Sequence, residues 1–281
     1  MHVSLNGQIL QKTEARIPAF HSGLFYGTGC FETIRVESGR LLFFDEHYKR
    51  LRSGLLYLGV KDSDIPSYPK LINVTEELLH KNGLMERVAK VRIQCTLAEN
   101  NGYRRDDSAE LFTLISAEQY LQKAGAKKLT IAETKVVPAS CRPVHFKMCN
   151  MLHYRNAYRE SQKINADDAV MLTVNGLISE TSMANLFWKR GDTFYTPSKY
   201  CDLLPGITRK YVIEAIEKNI GFSLIEGEFS IEDLMSAESV WVTNSLMEIQ
   251  QVECIDEQKF GDNKPLTTSL RKAYQTFKTA G

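Results

Sequence analysis

Ala169-Val170-Met171-Leu172-Thr173-Val174-Asn175-Gly176-Leu177-Ile178-Ser179-Glu180-Thr181-Ser182-Met183-Ala184-Asn185-Leu186-Phe187-Trp188 is the stretch from which the fold is read. An apolar run, an Asn-Gly turn and a second apolar start read as strand, turn, strand. Leu186-Phe187-Trp188 reads as another strand. Between these runs stand Glu180 and Asn185, polar residues held among apolar neighbours. A carboxylate in that position needs a cation or several donors to offset its desolvation. The ordinary alternative is a loop carboxylate in water at a strand end.

Working outward, residues 150–164 carry helical patterning and residues 129–137 read as a strand that ends at Pro138. On the other side, residues 209–220 form an amphipathic helix stopped by Gly221, and Ser239-Val240-Trp241-Val242-Thr243 is a buried-looking strand. Nearer the N-terminus, Val3-Ser4-Leu5 before Asn6-Gly7 signals a hairpin. A second hairpin is expected from Thr33-Ile34-Arg35-Val36, the Ser38-Gly39 turn and Leu41-Leu42-Phe43-Phe44. His47, Leu51, Leu55 and Leu58 recur at helical spacing with Asp45 as the expected N-cap, and a second helix spans about residues 68–80. Strands follow at residues 89–94 and 109–115. The polar, small-residue run around Gln122-Lys123-Ala124-Gly125-Ala126 predicts a linker. The expected organisation is α/β (mixed α+β): a lobe over residues 1–118, a linker over 119–127, and a second lobe over 128–281 that carries Lys147.

Composition narrows the function. The 281 residues are 43% hydrophobic and 25% charged, with net charge +1, which gives no basic face for nucleic acid or an anionic membrane. The first ten residues lack a basic region followed by an apolar run, and no window approaches the roughly 18 apolar residues of a membrane span. Six scattered cysteines with no CxxC pair read as free thiols in a reducing cytoplasm, with neither a disulfide frame nor a metal site.

Four separated stretches carry chemistry. In His145-Phe146-Lys147-Met148-Cys149-Asn150 a lysine sits among apolar neighbours. It is either a surface lysine snorkelling over apolar contacts or an amine whose desolvation makes it a nucleophile towards an aldehyde. Glu180 would suit a pyridinium nitrogen, because a paired carboxylate keeps such a ring protonated and so an electron sink. Leu203-Leu204-Pro205-Gly206-Ile207-Thr208-Arg209 leads into a helix start, where free N–H groups and the positive dipole end suit a phosphate; a plain capped turn is the alternative. Val242-Thr243-Asn244-Ser245 offers turn formers or further phosphate donors.

Taken together and in this order, these stretches resemble the class IV aminotransferases, the fold type IV pyridoxal-phosphate enzymes. Phe25-Tyr26-Gly27-Thr28-Gly29-Cys30-Phe31-Glu32-Thr33-Ile34-Arg35 resembles the N-terminal signature of that family, and His47-Tyr48-Lys49-Arg50-Leu51 its basic helix start. The K-x-x-N of Lys147 to Asn150, the S-E-T-S-x-A-N of Ser179 to Asn185 and the L-P-G-I-T-R run complete the set. The resemblance implies a two-domain fold like that of the D-amino-acid aminotransferases, with pyridoxal 5'-phosphate in the cleft between lobes and an active homodimer. It implies that Lys147 holds the cofactor aldehyde as a Schiff base and then shuttles protons at the substrate carbon. It implies Glu180 on the pyridine nitrogen, Arg50 on the phosphate through its forked donors, and the Ile207 and Thr208 amides with the Ser245 hydroxyl completing the phosphate cup. Tyr154 and Asn185 are expected near the ring.

The family supports several reactions on small-molecule amino substrates. Ala184-Asn185-Leu186-Phe187-Trp188 with Lys189-Arg190-Gly191 and Tyr195-Thr196-Pro197, and Asn165-Ala166-Asp167-Asp168-Ala169, resemble sequences of the lyases that convert 4-amino-4-deoxychorismate into 4-aminobenzoate and pyruvate for folate biosynthesis. Branched-chain aminotransferases usually carry an extra residue before the asparagine and a tyrosine after it, where this chain has Met151. D-amino-acid aminotransferases have a tyrosine where this chain has Phe31, and an arginine–histidine pair where it reads Glu99-Asn100-Asn101-Gly102-Tyr103-Arg104-Arg105. The lyases often carry Gly-Arg-Gly-Tyr there, and Arg104 and Arg105 are read as either dicarboxylate ligands or solvated loop residues. The lyase is the expectation, an amino-acid aminotransferase using 2-oxoglutarate the alternative. A non-catalytic pyridoxal-phosphate binder would have no need of both Lys147 and Glu180.

Overall fold

The computed structural model describes residues 1–98 and 110–279, and the expectation for Arg104 and Arg105 lies outside them. The chain divides into two units, Met1–Leu121 with Phe146–Asn150, and Gln122–His145 with Met151–Gly281.

The first unit begins with β1 (His2–Leu5) and β2 (Gln8–Gln11), joined at Leu5↔Gln8 across the Asn6-Gly7 turn. Then come α1 (Ser22–Phe25), β3 (Gly29–Glu37), β4 (Arg40–Leu41), α2 (Phe44–Tyr57), α3 (Tyr68–Lys81), β5 (Ala89–Leu97) and β6 (Leu111–Gln119). The described strands form one sheet in the order β2-β1-β6-β5-β3-β4. Leu51, Leu55, Leu71, Leu78 and Leu79 of the helices pack on Ile34, Val91, Ile93 and Ile115, so α2 and α3 cover one face. The expected second strand of the β3–β4 hairpin is cut short. Phe43 turns into the left-handed region at φ 53° and is itself the N-cap, which starts α2 at Phe44 and puts Asp45 in its first turn.

The second unit holds β7 (Lys127–Ile131), α4 (Leu152–Lys163), β8 (Asp168–Leu172), β9 (Ile178–Thr181), β10 (Asn185–Arg190), β11 (Thr193–Pro197), α5 (Ile207–Ala215), β12 (Ser223–Gly227), α6 (Ile231–Met235), β13 (Ser239–Asn244), β14 (Glu248–Ile255), β15 (Gln258–Lys259) and α7 (Lys264–Thr279). Its sheet runs β12-β11-β10-β13-β14-β7-β8-β9, with β15 on β14. The apolar runs of β8, β10 and β13 are buried without alternation, as strands covered on both faces must be. Trp188 packs with Val240 and Leu234 in one cluster, and the Phe194 ring lies 5.4 Å from that of Trp241. Two expected elements change length. The strand over residues 129–137 is confined to Lys127–Ile131, and α5 starts at Ile207 and passes into a π turn at Ile216–Ile220 before Gly221.

The largest correction concerns Lys147, expected in the second lobe. Its segment pairs with the start of β3: the Phe31 N–H donates to Lys147 O at 2.9 Å, and the Cys149 N–H donates to Gly29 O at 2.9 Å. Cys30 and Met148 form an antiparallel bridge between these bonds. Gly27, at φ 67°, allows the approach, because a Cβ there would stand 3.2 Å from Asn150 backbone atoms. Backbone pairing therefore puts Phe146–Asn150 in the first unit.

Candidate active site

In the first unit, pairing with β3 aims the half-buried Lys147 at Phe31, with Nζ 5.0 Å from the ring centroid. The Arg92 guanidinium, carried by β5, lies 3.7 Å over the same ring. Burial lowers the Arg92 pKa, and its Nε donates to Gln94 Oε1 at 3.0 Å. Burial raises the pKa of the neighbouring Cys149 thiol to about 11, which keeps it protonated.

Glu32, next along β3, is 1% exposed and carries the charge that meets the helix behind it. Its carboxylate takes Arg50 Nε at 2.7 Å and Nη2 at 2.8 Å, and His47 Nδ1 at 2.6 Å. Burial alone would raise the Glu32 pKa, but Arg50 and His47 outweigh it and hold it at about 2. Burial lowers the pKa of His47, against the pull of Glu32. The family resemblance implies that Arg50 turns its fork to a phosphate; here that fork grips Glu32, which fixes the plane from which its other N–H groups project.

In the second unit, Glu180 is 4% exposed on β9. Oε1 accepts the Tyr154 hydroxyl at 2.5 Å and the Leu204 N–H at 2.9 Å, and Oε2 accepts Asn185 Nδ2 at 3.1 Å. These donors are what a buried carboxylate requires to stay ionised. The S-E-T-S-M-A-N wording has a local cause. Thr181 and Ser182 hydroxyls both donate to buried Asp168, and the Ala184 N–H donates to Thr181 Oγ1 at 2.9 Å. That tight turn lets Glu180 and Asn185 meet. The L-P-G-I-T-R run closes the same place: Asn185 Nδ2 also donates to Leu204 O at 2.9 Å, and a Cβ at Gly206 would overlap Asn185 Oδ1.

Helix α5 begins there with no side-chain cap, and its first intrahelical bond is Lys210 N–H to Gly206 O. The amides of Ile207 and Thr208 precede that bond, at the positive end of the helix. Three buried hydroxyls of this unit, Ser179 Oγ, Thr208 Oγ1 and Thr243 Oγ1, have no hydrogen-bond partner among the described residues, and the latter two belong to the stretches expected at a phosphate. Thr243 lies directly opposite Asn185 in the β10–β13 ladder. Uncapped amides with orphaned hydroxyls fit an anion with several acceptor oxygens, such as a phosphate.

The structure thus brings Glu180, Tyr154 and Asn185 into contact, with the Gly206 start of α5, and so Ile207 and Thr208, against Asn185. Ser245 is half-buried in the turn after β13, where Asn244 Oδ1 accepts the Leu246 and Met247 N–H groups. Sequence reasoning assigned no role to Arg92, Arg142 or Glu32, and placed Thr243 only within a stretch of turn formers or phosphate donors. Arg92 sits in the alternating run Lys90-Val91-Arg92-Ile93-Gln94, which reads as an ordinary solvated strand face.

The profile of the family described as amino-transferase class IV matches residues 29–255, so the chain belongs to the class IV aminotransferase family. It is 28% identical to the aminodeoxychorismate lyase of Bacillus subtilis (strain 168), covering 95% of this chain and 91% of that one. It is equally 28% identical to a putative branched-chain-amino-acid aminotransferase of Methanocaldococcus jannaschii, over 99% of this chain and 96% of that one. Among solved structures, a branched-chain amino acid aminotransferase from T.th. complexed with N-(5'-phosphopyridoxyl)-L-glutamate is similar at TM-score 0.85 and 26% identity, over 98% and 92% of the two chains. Homologues of this family are pyridoxal-phosphate-dependent enzymes, and the chain has their mixed α/β, fold type IV architecture. Among the described residues no helix is long and apolar enough to cross a membrane.

Proposed function

We propose that this enzyme is a 4-amino-4-deoxychorismate lyase, releasing 4-aminobenzoate and pyruvate. The observation that carries the reading is the pair beside Lys147: a hydroxyl-free Phe31 ring under a partly desolvated Arg92 guanidinium. A flat cyclohexadiene carboxylate suits an apolar wall next to a partly desolvated cation. A D-amino-acid aminotransferase would place a tyrosine hydroxyl where Phe31 stands.

Pyridoxal phosphate, when bound, supplies a protonated ring that draws electrons from the amine-bearing carbon. Lys147 Nζ would hold the cofactor aldehyde and, as the nearby amine, would take the proton from the amine-bearing ring carbon of the substrate. As that proton leaves, the C–O bond to the enolpyruvyl group breaks, the carbocycle becomes aromatic, and the departing enolate takes up a proton as pyruvate. Arg92 anchors a substrate carboxylate. Glu180, held by Tyr154, Asn185 and the Leu204 amide, pairs with the ring nitrogen. Arg50, the Ile207 and Thr208 amides and the hydroxyls of Thr208, Thr243 and Ser245 bind the phosphate.

A branched-chain aminotransferase is the second reading, favoured by the relatives of that name. We also propose a cytoplasmic homodimer. The six cysteines are unpaired, and Phe20 and Leu24 are 73% and 61% exposed on one short segment; sedimentation equilibrium tests the dimer. Purified protein with pyridoxal phosphate and 4-amino-4-deoxychorismate is expected to release fluorescent 4-aminobenzoate. No release from cofactor-loaded protein, with amino transfer from leucine or valine to 2-oxoglutarate, would establish the second reading instead.

A further inference from the structure

Arg142 is a buried arginine, 8% exposed, in the loop that precedes α4. It makes no ion pair with a carboxylate among the described residues. Its loop is fixed by bonds from the Cys141 and Arg142 N–H groups to Pro138 O, and by the Ala139 N–H to Asp202 Oδ1 at 2.7 Å. The guanidinium meets the first turn of α4. One terminal nitrogen donates to His153 Nε2 at 3.3 Å, and the guanidinium lies 5.7 Å from the Tyr154 ring centroid, where its charge pulls against the rise in the Tyr154 pKa. Arginine only donates, so His153 must accept at Nε2 and carry its proton on Nδ1. Beside that cation, Tyr154 gives its own proton to Glu180 Oε1 at 2.5 Å. Burial raises the Tyr154 pKa well above the ordinary tyrosine value, with Glu180 adding to the rise, so that proton stays on oxygen.

The result is a directed chain from a buried cation, through a hydroxyl, to the carboxylate. Each link polarises the next, and in a dry interior such a chain strengthens the donor at its end. We propose that Arg142 is a positioning residue that acts through Tyr154 to hold Glu180 as a weakly basic, ionised carboxylate, so that the proton it shares stays on the nitrogen of the bound cofactor ring. The inference rests on the reading of Glu180 as the partner of that nitrogen. It adds a function to Arg142, which touches neither the carboxylate nor, on this account, any ligand. Without the chain, Glu180 becomes the stronger base and the shared proton moves towards it, which weakens the ring as an electron sink.

The test uses holoenzyme loaded with pyridoxal phosphate labelled with nitrogen-15 in its ring, whose chemical shift reports ring protonation directly. R142Q and Y154F are each expected to move the signal towards that of neutral pyridine, and the R142Q/Y154F double variant to move it no further than Y154F alone. R142K, which keeps a cation and a donor, is expected to restore much of the wild-type signal. Y154F keeps the inference testable should R142Q fail to fold. E180Q separates the two ways of being wrong. An unmoved signal in E180Q overturns the reading of Glu180 and this inference with it. A moved signal in E180Q, with R142Q and Y154F indistinguishable from wild type, overturns the inference alone.

Discussion

Glu32 shows how much a single side chain can organise here. It is buried, it faces Arg50 and His47, and its two oxygens take three donors. Removing one member of such a set strands the others, which costs about 3 kcal/mol or more. E32Q is therefore expected to lower stability by about 3 kcal/mol in chemical denaturation and to weaken pyridoxal phosphate binding, because the Arg50 plane is no longer fixed. An E32Q protein with wild-type stability and affinity would show that Arg50 is held by other means. His153 carries the pH argument. Burial and the charge of Arg142 lower its pKa from 6.5 to about 4. As pH falls through that window the unfolded chain takes up a proton that the folded chain refuses, so folded stability declines from pH 6.5 towards about 4. H153N should flatten the decline, as read from denaturation midpoints at about pH 7, 6 and 5; an unchanged slope would remove His153 from the account.

The N-terminus of α5 makes the sharpest prediction among the elements. The Thr208 hydroxyl is buried and bonds to nothing among the described residues. Such a group contributes nothing to folding and costs its desolvation. T208V should leave the ligand-free protein as stable as wild type, or slightly more so, while weakening pyridoxal phosphate binding about tenfold, the size of one charge-assisted hydrogen bond. Equal affinity in titrations of the two apoproteins would take the hydroxyl out of the phosphate site. This element was legible in the sequence, because Pro205-Gly206 before an apolar-periodic run is a local signal that needs no partner to interpret. The partner strand was half legible. Thr243 and Ser245 stand two apart in one word, and only the ladder that sets Thr243 opposite Asn185 distinguishes them. Helix α2 shows the converse, since nothing in Leu42-Phe43-Phe44 announces that Phe43 adopts a left-handed backbone and starts a helix.

At the scale of the molecule, neither unit holds the full set of proposed site residues. Lys147, Arg50, Phe31 and Arg92 belong to the first, and Glu180, Tyr154, Asn185, Ile207 and Thr208 to the second. The change of composition near residue 122 is local punctuation and could be read directly. The membership of Lys147 could not, because the bridge that decides it joins residues 118 apart, and backbone pairing over that distance leaves no periodicity to read. The same pairing pins the Lys147 backbone to β3 and presents its amine over Phe31. Borohydride reduction of the holoenzyme, followed by peptide mass spectrometry, shows whether Lys147 holds the cofactor. The expected result is a reduced pyridoxyl group on Lys147 and none in K147A. A label on another lysine, or one retained in K147A, would contradict it.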